Sequence, residues 1–319
     1  MHNILLIGDP HFKTSNALET KQLHKSVLQY LKSNPSIDFV VVLGDILHCH
    51  EKIHTQPFCR AVSFLTDLAD ERETFVLIGN HDRINNNVFM TEEHPFVGLK
   101  EYPNLHIVDT TRYFSSSSLQ KRRREEREER EEEREKEEHL FAFVPYVPNG
   151  RFKEALEKKK EKENKRHYEE CTAIFAHQEF KGCKMGAIIS EDGDEWEEEL
   201  PAVFSGHIHD QQRLQKNIFY PGIPFQHGFG DSDDKAIYLL TIGPHSEKGY
   251  WKTEKIELDI TPKKLYNMTL EQFEKFKPPE KAIIKIKKII KNHSSFLENL
   301  ERRVSQSDKQ VQEIYREIC

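Results

Sequence analysis

The sequence predicts an α/β fold, and three observations carry that prediction. First, five short apolar runs recur, each ending in a polar cluster. They are Ile4–Ile7 before GDPH, Phe39–Leu43 before GD, Phe75–Ile78 before GNHD, Ala173–Ala176 before HQ, and Ala202–Phe204 before SGHIH. Runs of this length without polar alternation predict strands buried on both faces. Second, helical spacing fills the gaps between the first three runs. Leu23, Val27, Tyr30 and Leu31 share one helix face, as do Phe58, Ala61, Val62, Leu65, Leu68 and Ala69. Strand–helix–strand order predicts parallel strands with right-handed crossovers. Third, AIYLLTI, YWKTEKIEL and AIIKIKKII, all after about residue 236, alternate apolar and polar positions. That pattern predicts strands with one polar face. Two further strands are expected at Leu105–Asp109 and Leu140–Val144, and terminal helices over Ser294–Val304 and Ser307–Ile318.

The chain has 319 residues, which suits about two domains. Charged residues make up 32% of it against 36% hydrophobic, yet 20 Phe and 10 Tyr require a packed core. The charge must therefore sit in discrete segments. Residues 121–138 contain only Lys, Arg and Glu, and read as a solvated helix with Glu126–Arg130 and Arg127–Glu131 pairs or as a partner-binding arm. Residues 153–170 read as one charged surface helix. Glu191–Glu199 carries seven acids and reads as a solvated loop, which would disfavour polyanions if it faced the active site.

Several classes are excluded. No stretch approaches a membrane-spanning length of apolar residues, so no membrane association is expected. The N-terminus reads as a strand and not as a signal peptide. The five cysteines are scattered and lack a C-x-x-C, which suits free thiols in a cytoplasmic or nuclear setting. The net charge of −7 argues against nucleic-acid binding through bulk charge. Residues 251–319 differ, with fifteen Lys and Arg against eleven Asp and Glu.

The 17 histidines carry most of the functional argument. In a parallel sheet the ligand site lies beyond the carboxyl ends of the strands. Collected there are Asp9 and His11; Asp45 and His48; Asn80, His81 and Asp82; His177; His207 and His209. Oxygen and imidazole donors without thiolate suit Mn²⁺, Fe or Zn²⁺. The set is too large for one four-coordinate ion and about right for two divalent ions sharing a carboxylate. In D-x-H and H-x-H, residues i and i+2 of an extended segment point the same way and can serve one ion. His2, His24, His54, His94, His106, His139, His167, His227, His245 and His293 read as ordinary core or surface residues. His48 and His50 are intermediate.

GDPH, GDILH, GNHD, FAHQ and GHIH resemble, in order and spacing, the five motifs of the calcineurin-like metallophosphoesterases over roughly residues 1–240. The resemblance implies two packed β-sheets flanked by helices, over residues 1–260. It leaves a charged insertion at about 115–139 and a small basic α/β cap-like region at 261–319. It implies Asp9, His11 and His209 as ligands of a first metal, Asn80, His177 and His207 as ligands of a second, and Asp45 as the bridge. His81 would be the catalytic histidine, with Asp82 orienting it. The implied chemistry is phosphodiester hydrolysis by metal-activated hydroxide, with His81 protonating the leaving oxygen.

GDxxH with GNHD, in place of the protein-phosphatase pattern, resembles the branch of DNA-repair exonucleases that includes SbcD and its meiotic-recombination counterpart. In that branch a histidine at the position of His48 is implied to place the DNA strand. PYVPNGRF and FAHQEFKGCKMGAI look similar to such phosphoesterases from large DNA viruses. Nucleic acid would then be the substrate, Mn²⁺ the metal, and an SbcC-like coiled-coil ATPase or a homodimer the assembly. Two departures stand out: the short tail, and YPGIP with Ile223 where PGS is usual. Two other readings stay open: a phosphodiesterase or phosphatase for a small nucleotide or other phosphoester, and a metal-bearing scaffold without activity.

Overall fold

The computed structural model describes residues 1–50, 52–118, 138–157, 167–243 and 249–288. The chain divides into two compact units, Met1–Pro262 and Lys263–Cys319. The first unit is built on two six-stranded mixed sheets. In the first sheet, β1 (His2–Ile7), β2 (Phe39–Val42), β3 (Thr74–Leu77) and β4 (Leu105–Val108) run parallel. β13 (Ile237–Ile242) and β14 (Trp251–Ile256) extend it antiparallel beyond β1. In the second sheet, β6 (Leu140–Val144), β7 (Ala173–His177), β10 (Ala202–Gly206) and β12 (Ile218–Tyr220) run parallel. Antiparallel edges are added by β5 (Arg112–Ser115) and β11 (Gln212–Gln215). A short hairpin joins β8 (Lys184–Met185) to β9 (Ile188–Ile189).

Strand periodicity explains the layering. Ile4, Leu6, Phe39, Val41, Phe75 and Leu77 point to one side and meet Phe141, Phe143, Phe175 and Phe204 of the second sheet. Phe75 and Phe143 stack there with ring centroids 4.1 Å apart. The alternate residues Leu5, Ile7, Val40 and Val42 face outward onto α1 (Ala17–Ser33) and α2 (Thr55–Glu71). On the far side of the second sheet, Val144, Ile174 and Val203 pack with Phe152, Leu156, Tyr168 and Trp196. Strands with helices or loops on one face and a sheet on the other have no polar face, which is why they read as uninterrupted apolar runs.

Two expectations change. The surface helix foreseen over 153–170 is a short α3 (Phe152–Leu156) that buries Phe152, Ala155 and Leu156, then a 3₁₀ turn at His167–Glu170. The acidic loop Glu191–Glu199 is not merely solvated. Trp196 is buried against Phe152 and Tyr168, and buried Asp194 accepts the Phe152 N–H at 3.1 Å. The charge run 121–138 and the terminal helices lie outside the described residues, apart from Glu138 of the run. The second unit pairs β15 (Lys263–Met268) in parallel with β16 (Ile283–Lys288), the two joined through α4 (Leu270–Lys275). Thr269 and Gln272 close the N-terminus of α4 with a capping box. Among the described residues, no helix is long and apolar enough to cross a membrane.

Candidate metal centre

The carboxyl ends of β1, β2, β3, β7 and β10 converge, and the turns after them bring the polar motifs together. Close approach of backbones makes this possible. A side chain at Gly206 would put its Cβ 2.4 Å from the Leu43 carbonyl and 2.5 Å from Asp9 Oδ1. Gly44 combines φ of +105° with the ring of His177 packed against it. Three non-glycine residues here also lie in the left-handed region: His11 (φ 41°), Asp45 (φ 48°) and His207 (φ 79°). Such conformations cost of order 1–3 kcal/mol each and persist where the surroundings over-determine them.

Asp45 stands at the centre. Its Oδ1 lies 3.3 Å from His177 Nε2 and its Oδ2 lies 3.5 Å from His11 Nε2. One carboxylate thus faces two donor groups. On one side, His11 Nε2 is 3.2 Å from His209 Nε2, and donor atoms of Asp9, His11 and Asp45 all lie within 4.8 Å of one another. On the other, Asn80 Oδ1 sits 3.1 Å from His177 Nε2 and 3.0 Å from His207 Nδ1. Asp45, His177 and His207 form a second set within 4.8 Å. All seven residues anticipated as ligands are therefore brought together.

Backbone groups fix these side chains. Asp9 Oδ2 accepts the His207 N–H at 2.8 Å, and Asp45 Oδ1 accepts the His81 N–H at 2.8 Å. His177 Nδ1 lies 2.6 Å from the Leu43 carbonyl and His11 Nδ1 3.3 Å from the Leu47 carbonyl. Each ring is thereby oriented to present Nε2 inward. The remaining oxygen, Asp9 Oδ1, is buried without a hydrogen-bond partner. Two buried carboxylates, an amide oxygen and inward imidazole nitrogens fit hard or borderline divalent cations.

Burial and mutual charge shift these groups in different directions. Burial alone would raise both carboxyls. For Asp45 the charge and hydrogen bond of His177, with His11 and His81, win and hold it well below the usual range. Asp9 is raised well above it, chiefly by burial. Burial lowers His177, but Asp45 outweighs it and pushes the imidazole up to about 9. Burial holds His11 well below, and His209 below, the ordinary imidazole value, which favours the neutral form that a metal ligand must adopt.

His81 is at the edge of the cluster, its ring centroid 4.9 Å from that of His11. His48 joins it, with Nδ1 3.5 Å from His11 Nδ1, and His50 stacks on His81 at 4.4 Å. The expected Asp82–His81 bond is replaced by another arrangement. His81 Nδ1 pairs with the His48 carbonyl at 2.8 Å. The buried Asp82 carboxylate instead accepts backbone N–H groups of Ile46, Leu47 and Gly79 at 3.1, 2.8 and 3.1 Å. Asp82 clamps the turn after β2 to the turn after β3, and so holds His81 through the main chain. Burial and the Asp45 charge push its carboxyl up to about 7.

Two residues escape the sequence reading. Glu179 lies two positions after His177, with Oε2 3.7 Å from His207 Nε2, and the hydrogen bond from His207 helps hold its carboxyl at about 2. The i, i+2 spacing from His177 was its signal. His227, read above as ordinary, joins His11 and His209 in a third group of donors within 4.8 Å. It follows the buried Ile223, whose N–H donates to the His209 carbonyl at 3.1 Å. Beside the centre, a depression of about 270 Å³ is lined by Lys13, His48, Lys52 and His54. A separate cleft of about 510 Å³, lined by Arg213, Glu198 and Trp251, lies at the opposite strand ends and takes in none of these donors.

Two facing sheets with carboxylate and imidazole donors gathered at their strand ends define an α/β protein with a candidate metal site. A model of the Calcineurin-like phosphoesterase family matches residues 2–211, and the chain belongs to that family, whose members typically hold divalent metals. It is 39% identical over 270 residues to "Putative phosphoesterase 244L" of Invertebrate iridescent virus 6, covering 85% of this chain and 86% of that protein. It is also 41% identical over 240 residues to "Putative phosphoesterase 078R" of Invertebrate iridescent virus 3. That match covers 75% of this chain and 62% of the viral protein. The chain is thus a hydrolase acting on phosphoester bonds.

Proposed function

We propose that this hydrolase is a dinuclear-metal phosphodiesterase that cleaves nucleic acid, a Mn²⁺-dependent nuclease of the SbcD type. The observation that carries the reading is Asp45, whose two oxygens face separate donor groups. Asp9, His11 and His209 would hold one ion with Asp45; Asn80, His177 and His207 would hold the other. When bound, the ions supply Lewis acidity and a water nucleophile at neutral pH.

The protein's own part is positional. His81, tied through Nδ1 to the His48 carbonyl, keeps Nε2 for the proton that the leaving oxygen needs. Tyr146, with its ring centroid 5.9 Å from that of His207, walls the other side. The depression lined by Lys13, His48, Lys52 and His54 extends the site beyond a single phosphate. Adjacent cationic groups suit a chain that carries a second phosphate next to the scissile one. This basic extension favours nucleic acid over a lone phosphomonoester, despite the acidic balance of the whole chain.

The test is linear DNA and RNA with Mn²⁺, with wild type and Asp45→Ala side by side. Mn²⁺-dependent degradation lost in the variant is the expected result. Hydrolysis of bis-p-nitrophenyl phosphate with neither nucleic acid cut would overturn the nuclease reading in favour of a small phosphoester.

A further inference from the structure

His227 stands on the loop after β12, and both nitrogens of its ring are buried without a hydrogen-bond partner. Buried ring nitrogens in that state lower stability unless something else supplies the missing bond. The loop does not leave the ring adrift. The His227 and Gly228 N–H groups both donate to Asp231 Oδ2, at 2.7 and 2.8 Å. Gln226 Nε2 donates to the Asp231 carbonyl at 2.9 Å, and Lys13 Nζ to the His227 carbonyl at 3.3 Å. Phe225 backs the ring at 5.1 Å. The main chain is thus tied on both sides of a side chain whose own polar atoms have nothing to bind.

What the ring faces is specific. Its centroid lies 4.9 Å from that of His11 at 89° and 5.5 Å from that of His209 at 77°. His11 and His209 are themselves 5.1 Å apart at 69°. One donor nitrogen of each ring falls within 4.8 Å of the other two. Three mutually steep imidazoles with converging nitrogens are the arrangement that three ligands of one cation adopt.

We propose that His227 is a further imidazole ligand of the ion that Asp9, His11, His209 and Asp45 would hold. The inference rests on the dinuclear reading above. It makes the two ion positions unlike: three imidazoles with carboxylates at one, two imidazoles with an amide oxygen and a carboxylate at the other. Imidazole favours Zn²⁺, Fe and Co²⁺ relative to Mn²⁺. The first position therefore selects the later metals more strongly than the second, and mixed loading follows.

The full chain and its His227→Phe variant are stripped of metal, and Mn²⁺ and Co²⁺ binding are measured by equilibrium dialysis with elemental analysis. Wild type is expected to bind two ions. In the variant one of them weakens about 10- to 100-fold while the other is unchanged, by analogy with the loss of outer metal-site partners. The Co²⁺ absorption of the weakened site changes with it, and the metal-free variant unfolds at or above the wild-type temperature. Two ions of unchanged affinity with an unchanged Co²⁺ spectrum would overturn the assignment of His227, as would equal weakening of both. A wild type that binds no ion would instead sink the dinuclear reading itself. If His227→Phe does not fold, His227→Gln is read by the same criteria.

Discussion

Asp45 and Asp109 follow two strands of the same sheet, β2 and β4, and the polar clusters around them are finished differently. Asp109 follows β4. Its Oδ2 lies 3.1 Å from His94 Nε2 and 2.6 Å from Lys100 Nζ, and His94 Nδ1 accepts the Phe96 N–H at 3.2 Å. These polar atoms answer one another. The cluster around Asp45 is larger and opens to solvent at His209, yet Asp9 Oδ1 and both nitrogens of His227 are buried without a hydrogen-bond partner. Carboxylate and imidazole chemistry is common to both. A cluster that closes on itself holds the fold together, whereas one with converging unmet donors is shaped for something that arrives later.

Breaking the open cluster should give the largest effect. Asp45→Ala removes the residue common to both donor groups, so metal content should fall and hydrolysis drop by roughly a thousandfold or more, several kcal/mol of transition-state stabilisation. Elemental analysis with a phosphodiester assay checks this; full activity in the variant would dissolve the contrast. His81→Gln should cost about 10²- to 10⁴-fold in kcat with metal content retained, because it removes a proton donor and no metal donor.

The closed cluster should respond in the opposite currency. Asp109→Ala leaves Lys100 and His94 without their carboxylate and should lower stability by roughly 3 kcal/mol in denaturant unfolding. Activity per folded molecule should not change. The smallest effect is one of pH. His94 and Lys100 overcome burial and hold the Asp109 carboxyl at about 2, below its ordinary 3.8. A depressed carboxylate contributes stability that is present above pH ~4 and is lost as pH falls toward 2, about 2 kcal/mol here. Acid unfolding curves of wild type and Asp109→Asn should therefore converge over that interval. Parallel curves would mean that Asp109 gives the fold no charge-dependent stability.

The central strands were legible because burial on both faces leaves no polar position to interrupt them. The edges were not. β5 (RYFS) and β11 (QRLQ) are short, partly exposed and polar, and nothing in their composition separates them from loops. Asp9, His11, Asp45, Asn80, His177, His207 and His209 were legible because each directly follows an apolar run. His227 lies seven residues beyond Tyr220, the end of β12, past a run with its own turn geometry, so no local pattern marked it. The contact made by Asp82 was not legible, because adjacency to His81 suggests a side-chain bond. The structure turns that carboxylate toward three backbone N–H groups instead.

The bond from the His207 N–H to Asp9 joins residues 198 apart in the chain. Neither sheet alone supplies all seven anticipated ligands: Asp9, His11, Asp45 and Asn80 come from the strand ends of the first sheet, whereas His177, His207 and His209 come from those of the second. Such distant contacts close late and slowly in folding. A chain in which only the first sheet has formed lacks His177, His207 and His209, so the donor group of Asp45, His177 and His207 is deferred until the two sheets have docked. Once they have, the cation adds its binding free energy to the native state and to none of its precursors, so metal uptake can serve as a clock for the last step of assembly.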